Sequence, residues 1–178
     1  MSRLVFDLET NGLVRQGLST IHCIVARDID TDELYKWDNG NIPEGLETLA
    51  NADVLIGHNI IQYDFEAIKE VVPSWTYTGQ TFDTLILSRL FFTDLLDRDF
   101  RLRPANMPAQ LFGRASLEAW GHRLGIHKSE FGKSLQGDWS NYSPEMLEYC
   151  VADVAVSVAL WKVFEPKLEQ YKDCINTE

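Results

Sequence analysis

The first strong pattern in the chain is an apolar run interrupted by acids, Leu4-Val5-Phe6-Asp7-Leu8-Glu9-Thr10. Its β-formers and alternation predict a strand over residues 4–10. Val5, Asp7 and Glu9 then share one face, because successive side chains point to opposite sides. Residues 21–27 and 33–37 predict two more strands, joined by the turn Asp28-Ile29-Asp30-Thr31-Asp32. Residues 53–57 form a short apolar run that predicts a buried strand. Helices are predicted over 43–50, with Pro43 near the start, over 63–72, ended by Pro73, and over 83–92. Another is predicted over 116–124, stopped by Gly125. Ser143-Pro144 reads as an N-cap followed by proline in the first helical position, opening a last helix that reaches about Phe164. Between these elements, residues 93–113 carry arginines, two prolines and glycine, and are expected to form a mobile loop. Three strands followed by helices alternating with strands predict an α/β fold. Its mixed sheet has antiparallel strands leading into parallel ones, with helices on the flanks.

The chain has 178 residues, which suits one domain, and a single domain is expected throughout. No apolar run approaches the roughly 20 residues that span a bilayer. The first strand follows Met1 with no basic leader or cleavage site, so a cytoplasmic protein with no membrane partner is expected. Cys23, Cys150 and Cys174 are widely spaced with no CxxC pair, and read as reduced, buried thiols. The net charge of −11 argues against a protein that coats nucleic acid, since phosphate binding is driven by Lys and Arg. The charge is uneven, however. From Arg89 to Leu135, Arg89, Arg98, Arg101, Arg103, Arg114, Arg123, Lys128 and Lys133 outnumber Asp94, Asp97, Asp99, Glu118 and Glu130. That stretch carries +3 and the remainder −14. A local basic surface on an acidic body suits an enzyme that holds a short piece of nucleic acid and needs carboxylates for metals.

The acids carry the chemistry. Asp7 and Glu9 project from one face at the end of an apolar core strand, which costs free energy unless a cation or partner compensates. In the last helix Tyr149 and Asp153 share a face at i and i+4. The core stripe of that helix reads as Leu147, Val151, Val154, Val158 and Trp161, with Tyr149 and Asp153 roughly opposite it. Val156 and Leu160 continue the Tyr149 face as apolar residues, so Asp153 is expected to be semi-buried. Asp64 opens a helix, and on its own could be an N-cap. Four acids in these settings suggest two divalent ions, and hard oxygen ligands select Mg²⁺ or Mn²⁺. Two such ions about 4 Å apart can activate water and stabilise the leaving oxygen of a phosphoryl displacement. Asp28, Asp30 and Asp32 superficially start a calcium loop, but Glu33 and Asn39 stand where glycine and glutamate are needed, so a hairpin turn is expected.

Phe6-Asp7-Leu8-Glu9-Thr10, the segment His58-Asn59-Ile60-Ile61-Gln62-Tyr63-Asp64, and Tyr149-Cys150-Val151-Ala152-Asp153 resemble, in this order, the three motifs of a known family. This family is the DEDD 3′→5′ exonucleases of the ribonuclease H-like superfamily, in the form with tyrosine four residues before the last aspartate. Residues 82–90 and 116–125 are similar to the proofreading domain of phage-type family A DNA polymerases. The resemblance covers about residues 3–165.

It implies a ribonuclease H-like fold and two-metal hydrolysis releasing nucleoside monophosphates from single-stranded or mismatched DNA 3′ ends. Asp7, Glu9 and Asp153 would hold one Mg²⁺ or Mn²⁺, and Asp7 with Asp64 the second. Tyr149 would orient the attacking water, Thr10 would contact the terminal nucleotide, and Leu13 would pack against the last bases. Asn59, five residues before Asp64 as in the phage type rather than four as in bacterial repair polymerases, would help hold substrate. Asp83 reads as a helix cap rather than a ligand. His22, His58, His122 and His127 share no spacing and read as core or surface residues. The implied partners are a single-stranded DNA 3′ end and a polymerase domain or subunit, in a bacterial or phage-infected cytoplasm. Two alternatives stand beside this function: an exoribonuclease of the same superfamily, and a catalytically silent nucleic-acid-binding domain on the same fold.

Overall fold

The computed structural model describes residues 1–126 and 139–175, with side chains to Tyr171. His127, Lys128, Glu130, Lys133 and the Cys174 side chain lie outside the described residues. Among the described residues five strands form one sheet, β1 (Arg3–Thr10), β2 (Ile21–Asp28), β3 (Leu34–Trp37), β4 (Val54–Gly57) and β5 (Gln80–Asp83), in the order β3-β2-β1-β4-β5. β1 lies at the centre, antiparallel to β2 (Phe6 opposite Ala26) and parallel to β4 (Leu4 opposite Leu55). β3 extends the antiparallel side and β5 the parallel side. The mixed sheet expected from the order of elements is therefore present.

The alternation of β1 divides the core into two layers. Leu4, Phe6 and Leu8 pack with Leu46, Leu49 and Ile68 from α1 (Ile42–Ala50) and α2 (Asp64–Val71). Val5 faces the other way, with Val25 and Ile56, against Val154, Leu160 and Phe164. These three belong to the last helix of the described residues, Pro144–Ile175. The remaining helices of the described residues are α3 (Thr84–Phe91), α4 (Leu95–Leu102) and α5 (Leu117–Leu124), and the last is labelled α6. α5 starts at a Ser116 cap, whose hydroxyl accepts from the Ala119 amide, and stops at Gly125 with φ of 68°. The β2–β3 connection is a turn: Asp28 Oδ1 accepts the amides of Asp30 at 2.8 Å and Thr31 at 3.1 Å. No helix among the described residues is long and apolar enough to cross a membrane.

Four features depart from the expectations. β5 was not anticipated, because four residues at a sheet edge give too short an alternation. It is held by pairing with β4 and by Phe82, whose ring lies 5.0 Å from that of Trp161. The stretch 93–113 is not simply a loop, since it contains α4 and a 3₁₀ turn at Ala109–Leu111. A tertiary ion pair anchors α4: Arg123 donates to both oxygens of buried Asp99, at 2.8 and 2.7 Å, and the Gly113 amide adds a third bond at 2.8 Å. Burial pushes the Asp99 carboxyl up, but these bonds and the Arg123 charge outweigh it, leaving the group below its ordinary value.

The third departure is that α6 runs beyond Phe164, through Pro166, to Ile175. Proline costs a helix one hydrogen bond. Here Leu168 continues the core, and Tyr171 packs on Phe91 with ring centroids 5.8 Å apart. Fourth, the inward stripe of α6 is wider than expected: Val154, Val158 and Trp161 are buried and Leu147 and Val151 half-buried against the core, as the periodicity predicts, and Met146, Cys150, Asp153, Ser157, Leu160 and Phe164 extend the buried surface. Apolar periodicity missed that extension because two of its positions are polar. Asp153 lies on the widened inward stripe rather than opposite it.

Candidate active site

The cavity of interest lies where the end of β1 passes over α6. The two-residue spacing on β1 puts Asp7 and Glu9 on the α6 side, as expected from alternation. Between Glu9 and Thr10 the pairing with β2 slips by one residue, so that Glu9 faces Cys23 and Thr10 faces Ile21. Such a bulge bends a strand end and re-aims its side chains. Beneath it, the inward stripe of α6 delivers Asp153, which is 7% exposed, and the flank of the helix delivers Tyr149, half-buried.

Asp64 arrives on a short loop clamped from three sides. At the end of β4 a Cβ on Gly57 would collide with the Ile60 side chain and lie 2.8 Å from the Phe6 carbonyl, so only glycine fits the approach. Asn59 takes a left-handed φ of 67°. Asp83 then holds the loop by accepting the amides of Asn59 at 3.0 Å and Ile61 at 3.2 Å, and caps α3 through the Leu85 amide at 2.9 Å. Its reading as a cap is met, and the same carboxylate also shapes the Asp64 loop. His58 Nδ1 lies 2.9 Å from the Thr84 hydroxyl, which in turn donates to the Gly57 carbonyl at 3.1 Å. Asp64 is only 2% exposed, and it is the first residue of α2 rather than its cap. Capping therefore does not account for its burial.

One cavity of about 530 Å³ is lined by Asp7, Glu9, Asp64 and Asp153, by Tyr149, and by Thr10, Leu13 and Asn59. Among the described residues no Lys or Arg lines it. The Thr10 hydroxyl is buried, 2.8 Å from both the Gly12 carbonyl and the Tyr63 hydroxyl. It ties down the turn that carries Leu13, which is 56% exposed at the rim. Trp139, Ser140 and Tyr63 also line the cavity and were not singled out from the sequence. Nothing in the local pattern marks Trp139. In the fold its carbonyl bonds with His22 Nε2 at 2.8 Å, and its ring meets that of Tyr149 edge-on at 6.2 Å.

The electrostatics of the cavity are those of crowded acids. Burial drives the Asp7 carboxyl well above its ordinary value, and the charges of Asp64, Glu9 and Asp153 push it further. Asp64 is pushed up to about 7, chiefly by burial, against backbone hydrogen bonds that pull it down. Cys150 is the missed neighbour. Its thiol lies 3.3 Å from the Asp7 carbonyl and 3.5 Å from Asp7 Oδ2, and donates to both. Burial raises the Cys150 thiol too, so it stays protonated as a donor and does not offer a soft thiolate.

Ligand atoms of Asp7, Glu9 and Cys150 gather within 4.8 Å of one another, and the buried Oδ1 of Asp64 has no hydrogen-bond partner among the described residues. Crowded, under-neutralised carboxylate oxygens are a donor set that fits hard divalent cations. The residues present fit such a group.

No family profile matches the chain. It is 33% identical, over 181 aligned positions, to the DNA-directed DNA polymerase of Escherichia phage T7, across 88% of this chain and 26% of the polymerase. The chain thus spans about a quarter of that relative's length. Among solved structures, the apo form of a nuclease matches with a TM-score of 0.65 at 21% identity, across 95% of this chain and 74% of that one. Escherichia coli exonuclease I in complex with single-stranded DNA matches with a TM-score of 0.58 at 15% identity, across 99% and 43%. At these identities the two structures share the fold with this chain.

Proposed function

Because the chain belongs to the DEDD family of 3′→5′ exonuclease domains on the ribonuclease H-like fold, we propose that it hydrolyses single-stranded or mismatched DNA from the 3′ end, releasing nucleoside monophosphates. The observation that carries this reading is the convergence of four acids on one cavity, with no Lys or Arg lining it among the described residues. A phosphodiester cannot approach four carboxylates unless cations intervene.

Asp7, Glu9 and Asp153 would hold one Mg²⁺ or Mn²⁺, and Asp7 with Asp64 the other. Bound there, the cations would supply positive charge, a water of lowered pKa and a stabilised leaving oxygen. The Tyr149 hydroxyl orients the attacking water from the flank of α6. Leu13 offers an exposed apolar edge against which splayed terminal bases pack, and the Asn59 amide helps hold the strand. Thr10 contacts the terminal nucleotide and, through its bonds to Gly12 and Tyr63, keeps the Leu13 turn in place. The chain matches a quarter of a DNA polymerase, which favours DNA over RNA. A polymerase domain or subunit is the partner that would deliver such ends.

The test is to follow product release from DNA and RNA strands labelled at either end, in Mg²⁺ and in chelator. Metal-dependent release of mononucleotides from DNA 3′ ends supports the proposal, and attack from the 5′ end or preferential cleavage of RNA contradicts it. Tyr149→Phe removes one positioning hydrogen bond of about 1–3 kcal/mol, which corresponds to roughly 5- to 150-fold in rate. Metal affinity, measured by calorimetry with Mn²⁺, should stay unchanged in this variant. Wild-type rates in Tyr149→Phe at saturating metal would make Tyr149 a packing residue instead.

A further inference from the structure

Among the described residues, β1 is paired on both edges only as far as Val5. It pairs with β4 over Arg3–Val5 and with β2 from Leu4 to Thr10, with the slip after Glu9. Asp7, the acid that both proposed cations would share, therefore lies past the end of the β4 pairing and just before the bulge. Support comes from α6 beneath it. Cys150, fully buried one turn before Asp153, donates its thiol to the Asp7 main-chain carbonyl at 3.3 Å and to Asp7 Oδ2 at 3.5 Å. One S–H shared between a residue's carbonyl and its own carboxylate restrains the side-chain torsions that lie between them.

The residue type matters. A buried free cysteine ordinarily serves as a small apolar side chain. Here the thiol reaches a carboxylate instead, and burial keeps it in the protonated form that donates. Ligand atoms of Asp7, Glu9 and Cys150 lie within 4.8 Å of one another, so the thiol stands at the edge of the donor set. It does not join that set, because only a thiolate binds metal and hard cations prefer oxygen. A thiol is also a weak donor. It can fix the direction of the carboxylate without drawing off the charge on which the cations depend. An ammonium or guanidinium in the same place would neutralise that charge.

We propose that Cys150 is a positioning residue, whose thiol holds the Asp7 carboxylate in the direction that metal binding requires and so sets the site's affinity for Mg²⁺ or Mn²⁺. The proposal rests on the exonuclease reading of the cavity. Groups that hydrogen-bond a metal-ligating side chain orient it before the ion arrives, and losing one typically costs about 10- to 100-fold in metal affinity or activity. Because a thiol donates weakly, the lower end of that range is expected. The effect belongs to metal uptake rather than to the chemical step, since Cys150 reaches the reaction only through Asp7.

The test measures Mn²⁺ binding by calorimetry and the Mg²⁺ dependence of cleavage of a short single strand. In Cys150→Ala, the Mn²⁺ Kd and the Mg²⁺ needed for half-maximal rate should both rise about tenfold. The rate at saturating Mg²⁺ should stay within about threefold of wild type, as when only binding is lost. Val158→Ala opens the same buried core two turns further along α6, away from Asp7, and should keep the wild-type metal requirement. A second measurement does not depend on Cys150→Ala folding. In the variant Cys23→Ala, Cys174→Ala, Cys150 is the only thiol left, so its S–H stretching band is read alone by infrared spectroscopy. That band should shift when Mn²⁺ is added to saturation, because the charge on Asp7 Oδ2 is then shared with a cation. An unchanged metal requirement in Cys150→Ala, an equal rise in Val158→Ala, or an unmoved S–H band would overturn the positioning role. A wild-type protein that neither binds Mn²⁺ nor cleaves the strand would instead overturn the exonuclease reading beneath it.

Discussion

Asp7→Ala is expected to lose at least roughly a thousandfold in cleavage rate in Mg²⁺, about 4 kcal/mol of barrier, while its metal-free fold is no less stable than wild type. Asp7 is the acid that both proposed cations would share, so its removal dismantles the donor set at its centre. The fold should tolerate the loss because Asp7 contributes charge at the end of β1, while Val5 and Phe6 carry the apolar core on either side. The pH dependence follows from the raised carboxyls of Asp7 and Asp64. A carboxyl raised above its unfolded value contributes stability that is fully present below the unfolded value and lost as pH rises through the folded one. For Asp64 that window runs from its ordinary value of 3.8 to about 7. In chelator, wild type should therefore lose stability across this window, and Asp7→Ala should lose less, because one repelling charge is gone. Urea unfolding at several pH values measures this directly. Robust cleavage by Asp7→Ala in Mg²⁺ would rule out the metal assignment.

Unpaired or mismatched 3′ ends are expected to be degraded at least tenfold faster than paired ends. A terminus in regular duplex stays stacked and hydrogen-bonded, whereas the cavity has to admit the last nucleotide alone. Each base step carries about 1.4 kcal/mol of stacking, so opening three costs roughly 4 kcal/mol. Three mismatched bases at the end remove most of that cost before binding. Leu13, 56% exposed at the cavity rim, offers the apolar surface on which the freed bases pack. Leu13→Ala should narrow the preference or slow cleavage, with metal dependence unchanged. Initial rates on a recessed duplex, the same duplex with a three-base 3′ mismatch, and the free strand, at one salt concentration, measure the effect. Equal rates on all three would contradict a proofreading role even with an intact metal site.

Local signals carried much of the fold. The alternation of β1 assigned Asp7 and Glu9 to one face, and the Ser116 and Gly125 boundaries of α5 follow from side-chain capping and left-handed backbone. What depends on distant partners was hidden. α4 is anchored by Asp99 and Arg123, 24 residues apart in sequence, so the stretch read locally as loop. The clamp of Asp83 on the amides of Asn59 and Ile61 is likewise tertiary, and only the capping half of its role was legible. In α6 the inward stripe also contains Asp153 and Ser157, polar residues where hydrophobic periodicity expects apolar ones, so periodicity marks Val154, Val158 and Trp161 but not that part of the buried surface. Such a failure is what a site built into a core produces, since its chemistry breaks the local rule. Cys150 stands in the same stripe and touches Asp7, yet its residue type alone marked it only as a buried thiol.

The most direct measurement of the central claim is anomalous diffraction from crystals soaked with Mn²⁺ and a short oligonucleotide ending in a phosphorothioate. Two manganese peaks are expected in the cavity, one against Asp7, Glu9 and Asp153 and one against Asp7 and Asp64, with the terminal phosphorothioate beside both. A cavity without manganese, or an oligonucleotide bound away from these four carboxylates, would contradict the account.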